Sequence, residues 1–441
     1  MSHKTATPNQ NQTPFGHAVV IGGSIAGLTA ARVLSDTFAR VTIIERDQLP
    51  DTPEFRRGAP QARHTHTLPV RGEKILKEKF PGLFDEMCRN GATRINGGSE
   101  MAFYLAGTWH EVKHQSTLIS LTCSRPLIEH TIYKRIAALP NVEFIQEHET
   151  VGLAVDRLGK RATGVRLRPR HASKDEEMLL LADLVIDASG RNSQAPTWLA
   201  QLGYEPPRET KVNSFPGYAS RIYRRPANFD GTWKTLSIRP TPPDSPRGGL
   251  IIPIEGDRWQ VTLVGMARDY PPTSEEGFLD FARSLPVPHL YEAIKDAEPL
   301  TRPYGYRLTE NRVRHYDKLP RYLDNFVVMG DAAYALNPVY AQGMTVSVIG
   351  SVALEQCLEV HRSERQSLAG LASAYQKRLS KLATGLWKMA TREDHRWSAT
   401  TITEESSLPQ HRLDKLGFGH TDRARRSERS STGAFFTQSV S

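Results

Sequence analysis

The chain has 441 residues, of which 39% are hydrophobic and 24% charged, and its formal net charge is +9. This length allows two or three domains, or one α/β domain with a large insertion. No apolar run approaches the roughly 18 residues that a membrane helix needs, and the polar N-terminus lacks the apolar core of a signal peptide. The three cysteines, Cys88, Cys123 and Cys357, are not clustered. They predict reduced thiols in a cytoplasmic protein, and neither a disulfide framework nor a zinc knuckle.

Much of the positive charge lies on the C-terminal helices and in the tail RLDKLGFGHTDRARRSERSS, which also contains Asp414, Asp422 and Glu428. A solvated basic face is the simplest interpretation, and no nucleic-acid-binding motif accompanies it. We therefore expect no nucleic-acid partner. A positive field would still raise the encounter rate with an anionic substrate or reductant.

The first predicted elements form a βαβ unit. The run HAVVIGG is typical of a short buried strand, and RVTIIERD is typical of a second one. Between them, AGLTAARVLSDT places Leu28, Ala31 and Leu34 on one helical face. Parallel strands joined in this way imply a right-handed crossover.

A second helix is predicted in SRPLIEHTIYKRIAAL, with Ser124 as its N-cap and Ile128, Ile132 and Ile136 on one face. Strands are then predicted in NVEFIQEHETVGLAVD, ATGVRLRPR and LLLADLVIDASG.

From about residue 205 to 315 prolines cluster and apolar residues alternate in period two, which favours an inserted antiparallel sheet. There Trp259, in RWQVTLVG, is interpreted as a packing residue. The buried-strand pattern returns in NFVVMGDAAYALNP, and helices are predicted at about 343–360 and 367–392. Leucines of the last helix share one face, which indicates core packing.

The turn after the first strand has the residues of a dinucleotide-binding loop. Gly22 permits a tight turn, Ser24 lies where the backbone would approach a pyrophosphate, and Gly27 lets helix and strand pack closely. The helix N-terminus supplies free N–H groups to phosphates. Glu45 lies at the end of the second strand. Its separation from Gly27 is close to the roughly 20 residues expected for an acid that binds a ribose. Because an acidic side chain repels a 2′-phosphate, the pattern favours FAD or an NAD-like nucleotide over NADP.

A second motif, far along the chain, favours FAD. A strand ends in Gly330-Asp331, and a loop with Pro338 leads to Gly343-Met344 at the start of a helix. This order places an aspartate near a ribityl chain and helix N–H groups against an isoalloxazine. The positive end of the helix dipole would stabilise negative charge on a reduced flavin.

Together these motifs resemble the group A flavin-dependent monooxygenases over roughly residues 16–390. The runs RRGAPQARHTHTL and NRVRHYDKLP are most similar to the branch that contains polyether-type epoxidases. The resemblance implies an α/β fold, with a Rossmann-like FAD-binding domain of the GR2 type, an inserted antiparallel β-sheet substrate domain and C-terminal helices. The implied divisions are a disordered tail (1–15), the first part of the FAD-binding domain (16–204, with a short substrate-side strand near 96–119), the substrate domain (205–315), the second part with the C-terminal helices (316–400) and a flexible basic tail (401–441).

The resemblance also implies a set of site residues, including an arginine at the start of the second helix that contacts FAD. The implied cofactor-binding residues are Gly22, Gly23, Ser24, Ile25, Ala26, Gly27, Glu45, Arg46, Arg125, Asp187, Gly190, Gly330, Asp331, Pro338, Gly343 and Met344. The candidate substrate-pocket residues are His64, His66, Arg221 and Tyr340. No metal is predicted, because His64 and His66 lack a convincing third ligand; a structural role for both histidines stays open. No catalytic side chain is assigned, because the flavin carries the chemistry.

Three departures from the family pattern bear on function. Ala341 stands where glycine is usual, and Thr345 where asparagine is frequent. In DLVIDASGR, Ser189 precedes Gly190 where the family pattern linked to NAD(P)H use carries aspartate, and Asp187 lies two positions earlier. The electron source is therefore left open between NAD(P)H and a partner flavin reductase.

The predicted function is that of an FAD-dependent monooxygenase of secondary metabolism. The resemblance implies that reduced flavin and O₂ form a C4a-hydroperoxide, which transfers one oxygen to a hydrophobic polyene or aromatic substrate. Alkene epoxidation is favoured over hydroxylation. A halogenase is disfavoured, because Gly248 and Leu250 stand where that pattern has tryptophans. A flavin-dependent reductase of polyprenyl chains and a non-catalytic flavin-binding interaction protein are the alternatives.

Overall fold

The structure is a computed structural model that describes residues 15–111, 115–171 and 176–408. Its strands are β1 (Phe15–Ile21), β2 (Phe38–Ile44), β3 (Thr93–Asn96), β4 (Met101–Leu105), β5 (Thr108–Glu111), β6 (Ile119–Thr122), β7 (Val142–Ile145), β8 (His148–Val155), β9 (Ala162–Pro169), β10 (Met178–Leu181), β11 (Leu184–Asp187), β12 (Arg208–Asn213), β13 (Gly217–Arg224), β14 (Thr235–Ile238), β15 (Arg247–Ile254), β16 (Arg258–Gly265), β17 (Tyr304–Tyr306), β18 (Asn311–Arg314), β19 (Phe326–Val328), β20 (Tyr334–Ala335) and β21 (Thr401–Ser406). Its α-helices are α1 (Ile25–Leu34), α2 (Val70–Lys79), α3 (Leu83–Arg89), α4 (Arg125–Ala137), α5 (Ala195–Gln201), α6 (Glu275–Arg283), α7 (His289–Ile294), α8 (Gly343–Val360) and α9 (Leu371–Asp394).

A five-stranded parallel sheet in the order β19-β11-β1-β2-β7 forms the centre of the nucleotide-binding part. Its strands are short continuous apolar runs, which is typical of a sheet buried on both faces. Helix α1 packs against α4 and α8, and α8 packs against α9. This arrangement confirms the predicted α/β class and the βαβ unit at its start.

The predicted second helix is α4. Ser124 caps it by accepting the Leu127 N–H at 3.2 Å, and Ile128, Ile132 and Ile136 are buried. The last predicted helix starts later than expected, because Gly370 with φ +78° stands at its N-cap, and it extends to Asp394.

A seven-stranded, mostly antiparallel sheet in the order β17-β13-β16-β15-β14-β4-β5 forms the second large layer. Side chains alternate between its two faces. One face packs on α6 and α7 around Tyr223, Trp259 and Phe278, which confirms the packing role of Trp259. The other face is directed at the segment that contains His64, and the His64 ring is hydrogen-bonded to Ser220 on this face. Strands β4 and β5 come from the 96–119 region and join this sheet beside β14.

The C-terminal boundary differs from the expectation of a tail from residue 401. Residues Thr401–Ser406 form β21, which pairs antiparallel with β12. With β18 and β20 they build a separate four-stranded sheet, so that β12 and β18 do not join the large sheet. The prediction that the flexible tail begins at residue 401 is therefore wrong for Thr401–Ser406. Residues 1–14 and 409–441 of the two predicted tails lie outside the described residues.

Within the described ranges, none of the helices combines the length and the apolar character needed to cross a membrane.

Candidate functional site

The candidate site lies where the carboxyl ends of β1, β11 and β19 meet, which is where parallel α/β sheets bind ligands. Gly22 follows β1 with φ +103°, and a Cβ atom there would lie 2.7 Å from the Ala188 carbonyl oxygen after β11. Gly330 follows β19 with φ +61°, and its Cβ would lie 2.8 Å from the Ala26 Cβ. The fold therefore brings together three motifs that are far apart in the sequence.

Position 27 sets how closely helix α1 approaches the turn before it. A Cβ atom on Gly27 would overlap the carbonyl oxygen of Gly22. The first hydrogen bond within the helix runs from Leu28 N to Ser24 O at 2.8 Å. The N–H groups of 25–27 therefore have no acceptor within the helix and are available to a bound anion.

Glu45 fixes the glycine turn from the end of β2. Its carboxylate accepts the N–H groups of Gly23 at 2.8 Å and Asp47 at 3.0 Å, and Arg56 Nη1 lies 3.1 Å away. The side chain is buried. Glu45 thus holds the backbone of the turn, in addition to the role in ribose binding that the sequence predicts.

The hydroxyl of Ser24 gives a structural reason for the departure from glycine at this position. It donates to Glu129 Oε2 at 3.0 Å and accepts from Arg125 Nη2 at 3.1 Å. Glu129 also accepts from Arg125 Nε at 3.1 Å and from Arg56 Nη2 at 2.6 Å. Burial raises the pKa of Glu129, but the charges of Arg125 and Arg56 outweigh it, so that this pKa is lowered. A buried ionic cluster therefore ties the glycine turn to α4.

Asp331 is the predicted ligand with free hydrogen-bonding capacity. Among the described residues, no hydrogen bond or ion pair involves its carboxylate. Burial raises the pKa of Asp331, and the charges of Arg191, Arg125 and Arg312 oppose this rise. A carboxylate near three arginines and without a partner of its own fits the hydroxyl groups of a bound ligand.

The N-terminus of α8, at Gly343, follows Asp331 after a loop that contains Pro338, and it is sterically open. A Cβ atom added to Gly343 would meet no other atom within 4 Å. The side chain of Met344 is buried. Because α8 has 18 residues, its first N–H groups carry the positive end of a long helix dipole. This geometry suits the electron-rich end of a flavin.

Asp187 lies at the end of β11, beside the last residue of β1, and organises the turn that follows. It is completely buried, and its carboxylate accepts from Ser189 N at 2.9 Å, from Ser189 Oγ at 2.5 Å and from Ser193 Oγ at 2.5 Å. Burial raises the pKa of Asp187, against the effect of these hydrogen bonds. Both oxygens accept hydrogen bonds within one turn, so Asp187 shapes the turn before Gly190.

His64 joins the segment before α2 to the large sheet. Its Nδ1 lies 2.8 Å from Ser220 Oγ, which in turn lies 2.6 Å from Thr262 Oγ1. The rings of Tyr306 and Tyr218 are 5.3 and 6.1 Å from the imidazole. Burial, together with the charge of Arg63, lowers the pKa of His64 to about 4, so the ring is neutral at pH 7.

His66 lies on the cofactor side of this segment. Its Nδ1 is 2.9 Å from the His64 carbonyl oxygen. Burial and the charge of Arg125 lower the pKa of His66 to about 3. The segment of the two predicted histidines therefore lies between α4, which the turn Pro60–Arg63 contacts, and the face of the large sheet, to which His64 is hydrogen-bonded.

Arg221 is not brought to the site, which corrects its assignment to the substrate pocket. It follows Ser220 on β13 and consequently points to the opposite face. There its Nε donates to the Thr301 carbonyl oxygen at 2.7 Å, and Nη2 lies 3.0 Å from Glu275. Arg221 belongs to the packing of the sheet against α6.

The remaining predicted residues lie at the margins of the site. Tyr340 lies in the loop before α8, and its hydroxyl donates to Asp394 Oδ1 at 2.7 Å. Pro338 is exposed at the start of the same turn. Arg46 is exposed and donates to the Gly58 carbonyl oxygen at 3.4 Å.

Sequence reasoning missed four charged residues that shape the site. Arg56 and Glu129 complete the cluster at Ser24, Arg191 is paired with Glu310 at 3.0 Å near Asp331, and Asp394 binds the loop before α8. Glu129 offered one usable signal, since it lies four residues after Arg125 on a predicted helix and suits an (i, i+4) ion pair.

Gly248 supports the argument against the halogenase pattern. It lies on β15, and a Cβ atom there would lie 2.5 Å from the Ile238 carbonyl oxygen. A tryptophan side chain at this position would require the neighbouring strand β14 to move.

The residues at the site fit FAD. The glycines at 22, 27 and 330 leave no room for side chains, and free N–H groups face the turn. The Asp331 carboxylate has no partner among the residues that the structure describes. Fold and site together define a dinucleotide-binding flavoprotein.

Comparison with known proteins identifies the family. A family model described as FAD binding domain matches residues 17–388, and the chain belongs to this family. "Protein Rv3254" of Mycobacterium tuberculosis is 32% identical over 85% of this chain and 79% of its own length. Kynurenine 3-monooxygenase of Salinispora arenicola is 26% identical over 81% of this chain and 75% of its own length. 6-Hydroxy-3-succinoylpyridine 3-monooxygenase HspB of Pseudomonas putida is 25% identical, with coverages of 82% and 84%.

Solved structures share the fold. PqsL, a probable FAD-dependent monooxygenase from Pseudomonas aeruginosa, superposes with a TM-score of 0.62 at 17% identity, over 86% of this chain and 98% of that chain. A triple mutant of the flavin-dependent brominase Bmp2 also gives 0.62, at 16% identity, over 93% and 92%. The predictions of FAD as cofactor and of a flavoprotein enzyme of the monooxygenase type are confirmed. These relatives do not single out the polyether-type epoxidase branch.

Proposed function

We propose that the chain inserts one oxygen atom of O₂ into a small, largely apolar organic substrate, with the seven-stranded sheet as the substrate domain. The observation that carries this proposal is the link between the cofactor side and the sheet. The turn Pro60–Arg63 packs against α4, which carries Arg125, and the adjacent His64 is hydrogen-bonded to Ser220 on β13. This contact would hold one face of the sheet beside the proposed flavin position.

Each cofactor-side group has a proposed role in holding FAD. The N–H groups of 25–27 and the Arg125 guanidinium would bind the pyrophosphate, and Glu45 the adenosine ribose. Asp331 would accept hydrogen bonds from the ribityl chain, and the N-terminus of α8 at Gly343 would face the isoalloxazine. When bound and reduced, FAD supplies the activation of O₂ and the transfer of oxygen.

The sheet face that includes Ser220 would form one wall of the substrate site. Direct cross-strand partners share a face. The pairing therefore places these residues on that face: Tyr218, Ser220, Ile222, Leu250, Ile252, Gln260, Thr262, Val264, Tyr304 and Tyr306. Aliphatic and aromatic groups dominate this wall, which supports an alkene or aromatic substrate. Neutral His64 would supply a hydrogen bond without introducing charge. We propose epoxidation ahead of hydroxylation, within secondary metabolism.

The test is substrate-stimulated O₂ uptake by the FAD-loaded protein, measured with an oxygen electrode and a panel of apolar alkenes and phenols. Product formation that accompanies O₂ uptake supports the proposal. A polyprenyl reductase would instead consume reductant and saturate a double bond under anaerobic conditions. A flavin-binding protein without turnover would show neither behaviour with any compound.

Flavin reduction by NADH or NADPH alone is expected to be slow. Because residue 189 is a serine, it presents no carboxylate to a reductant, and its hydroxyl is hydrogen-bonded to Asp187. Misplacement of the nicotinamide by about 1 Å can cost on the order of 10²-fold in hydride transfer. Anaerobic stopped-flow with each nucleotide, without substrate, measures the rate, and Ser189→Asp is the matched variant expected to be faster. If reduction is slow, a partner reductase is the expected electron source. Rapid bleaching of the wild-type flavin by either nucleotide alone would contradict this expectation.

A further inference from the structure

A carboxylate at the end of α9 is the centre of a buried polar network. Asp394 is completely buried and accepts three hydrogen bonds. They come from Asn311 Nδ2 at 2.6 Å, Asn337 Nδ2 at 2.9 Å and the Tyr340 hydroxyl at 2.7 Å. One side chain therefore connects β18, α9 and the loop that precedes α8.

The orientations of both side-chain amides in this network are fixed by their backbone partners. The Asn311 Oδ1 accepts the backbone N–H of Asn337 at 2.7 Å, and the Asn337 Oδ1 accepts that of Val339 at 3.0 Å. Because backbone N–H groups can only donate, both side-chain amides must point their NH₂ groups at Asp394. The network requires an acceptor on both oxygens of residue 394, which a carboxylate provides and an amide does not.

The loop that Asp394 holds is under backbone strain. Ala341 follows the turn Pro338–Tyr340 with φ +55° and ψ +26°, the left-handed conformation that disfavours a side chain. Such a conformation is unfavourable for a residue other than glycine, because its Cβ approaches the following carbonyl oxygen. It persists where surrounding contacts determine the backbone. Two of the three donors to Asp394, Asn337 and Tyr340, lie within five residues of Ala341.

We propose that Asp394 is a positioning residue, which holds loop 337–341 through Asn337 and Tyr340 and so sets the placement of the N-terminus of α8 against the flavin. The proposal rests on the binding of FAD at Gly343, as proposed above. It gives Tyr340 a supporting role, because its hydroxyl is directed to Asp394. It also explains how alanine can occupy position 341, where the left-handed conformation of a residue other than glycine needs support from surrounding contacts.

The experiment compares Asp394→Asn, Tyr340→Phe and the double variant with the wild type. Glu393→Gln is the matched control, since Glu393 precedes Asp394 on α9 but is partly exposed and paired with Arg396. FAD affinity is measured by titration of apoprotein, and the visible flavin spectrum and midpoint potential are recorded on the loaded proteins. Asp394→Asn should weaken FAD binding by about 10-fold or more, because hydrogen bonds to a buried charge are lost, and it should shift the spectrum. Glu393→Gln should match the wild type.

Tyr340→Phe should shift the same quantities in the same direction by a smaller factor. The double variant should be less impaired than the product of the two single factors, because both substitutions act through one network. Near-UV circular dichroism of the apoproteins tests whether Asp394→Asn folds; if it does not, Tyr340→Phe alone decides. If the wild type takes up FAD and the folded variants show the same affinity and spectrum as the wild type, the proposed role of Asp394 is overturned. Absence of FAD uptake by the wild type would instead refute the proposed cofactor site.

Discussion

Replacement of Gly27 by alanine should abolish tight FAD binding. The added methyl group would overlap the Gly22 carbonyl oxygen, which is backbone and cannot rotate away. Either α1 or the turn must move, and the free N–H groups of 25–27 then lose their common direction. Overpacking of this kind costs roughly 1–3 kcal/mol or more. With the loss of phosphate contacts, we expect at least ~100-fold weaker binding in a titration of apoprotein with FAD.

The matched control is Gly385→Ala. Gly385 lies within α9, and a Cβ atom there would meet no atom within 4 Å. The same added methyl group should therefore leave FAD affinity unchanged and raise the stability by about 0.5–1 kcal/mol, because alanine favours a helix. If Gly27→Ala binds FAD as tightly as Gly385→Ala, the glycine turn is not the pyrophosphate site.

Asp331→Ala and Glu45→Ala should both weaken FAD binding but differ in the apoprotein. Each removes charge-assisted hydrogen bonds to cofactor hydroxyls, worth roughly 1.5–3 kcal/mol, or about 10- to 150-fold in Kd. Asp331 has no partner among the described side chains, so its loss should leave the stability of the apoprotein unchanged or higher. Glu45 holds the N–H groups of Gly23 and Asp47, and its removal leaves them unpaired.

The measurement is a pair of titrations, with FAD for affinity and with urea for the stability of each apoprotein. Glu45→Ala should lose about 1–3 kcal/mol of stability, whereas Asp331→Ala should not. Asp36→Asn is a control, because this exposed carboxylate pairs with Arg32 at the end of α1. Unchanged FAD affinity in both site variants would refute their assignment.

The sequence predicted the parts of the site that depend on local geometry. A glycine turn between a strand and a helix, and an N-cap serine before a proline, carry their conformation within a few residues. The motifs at Gly22 and Gly330 were therefore recognisable, and the parallel sheet brings them together.

Contacts that depend on side-chain direction were not predictable in the same way. Arg221 was assigned to the pocket, but a shift of one residue along a strand moves a side chain to the other face. The hydrogen bonds that Ser189 and Ser193 donate to the Asp187 carboxylate were likewise not predicted. Asp394 lies more than 50 residues after the loop that it holds, and no local pattern indicates that distance.

The most direct test of oxygen insertion is a single turnover with labelled O₂. The FAD-loaded protein is photoreduced without oxygen, then mixed with ¹⁸O₂ in the presence of each alkene or phenol of the panel, and products are analysed by mass spectrometry. A monooxygenase places one ¹⁸O atom in the product and releases the other as water. Stoichiometric hydrogen peroxide with no labelled product from any compound would contradict the proposed function.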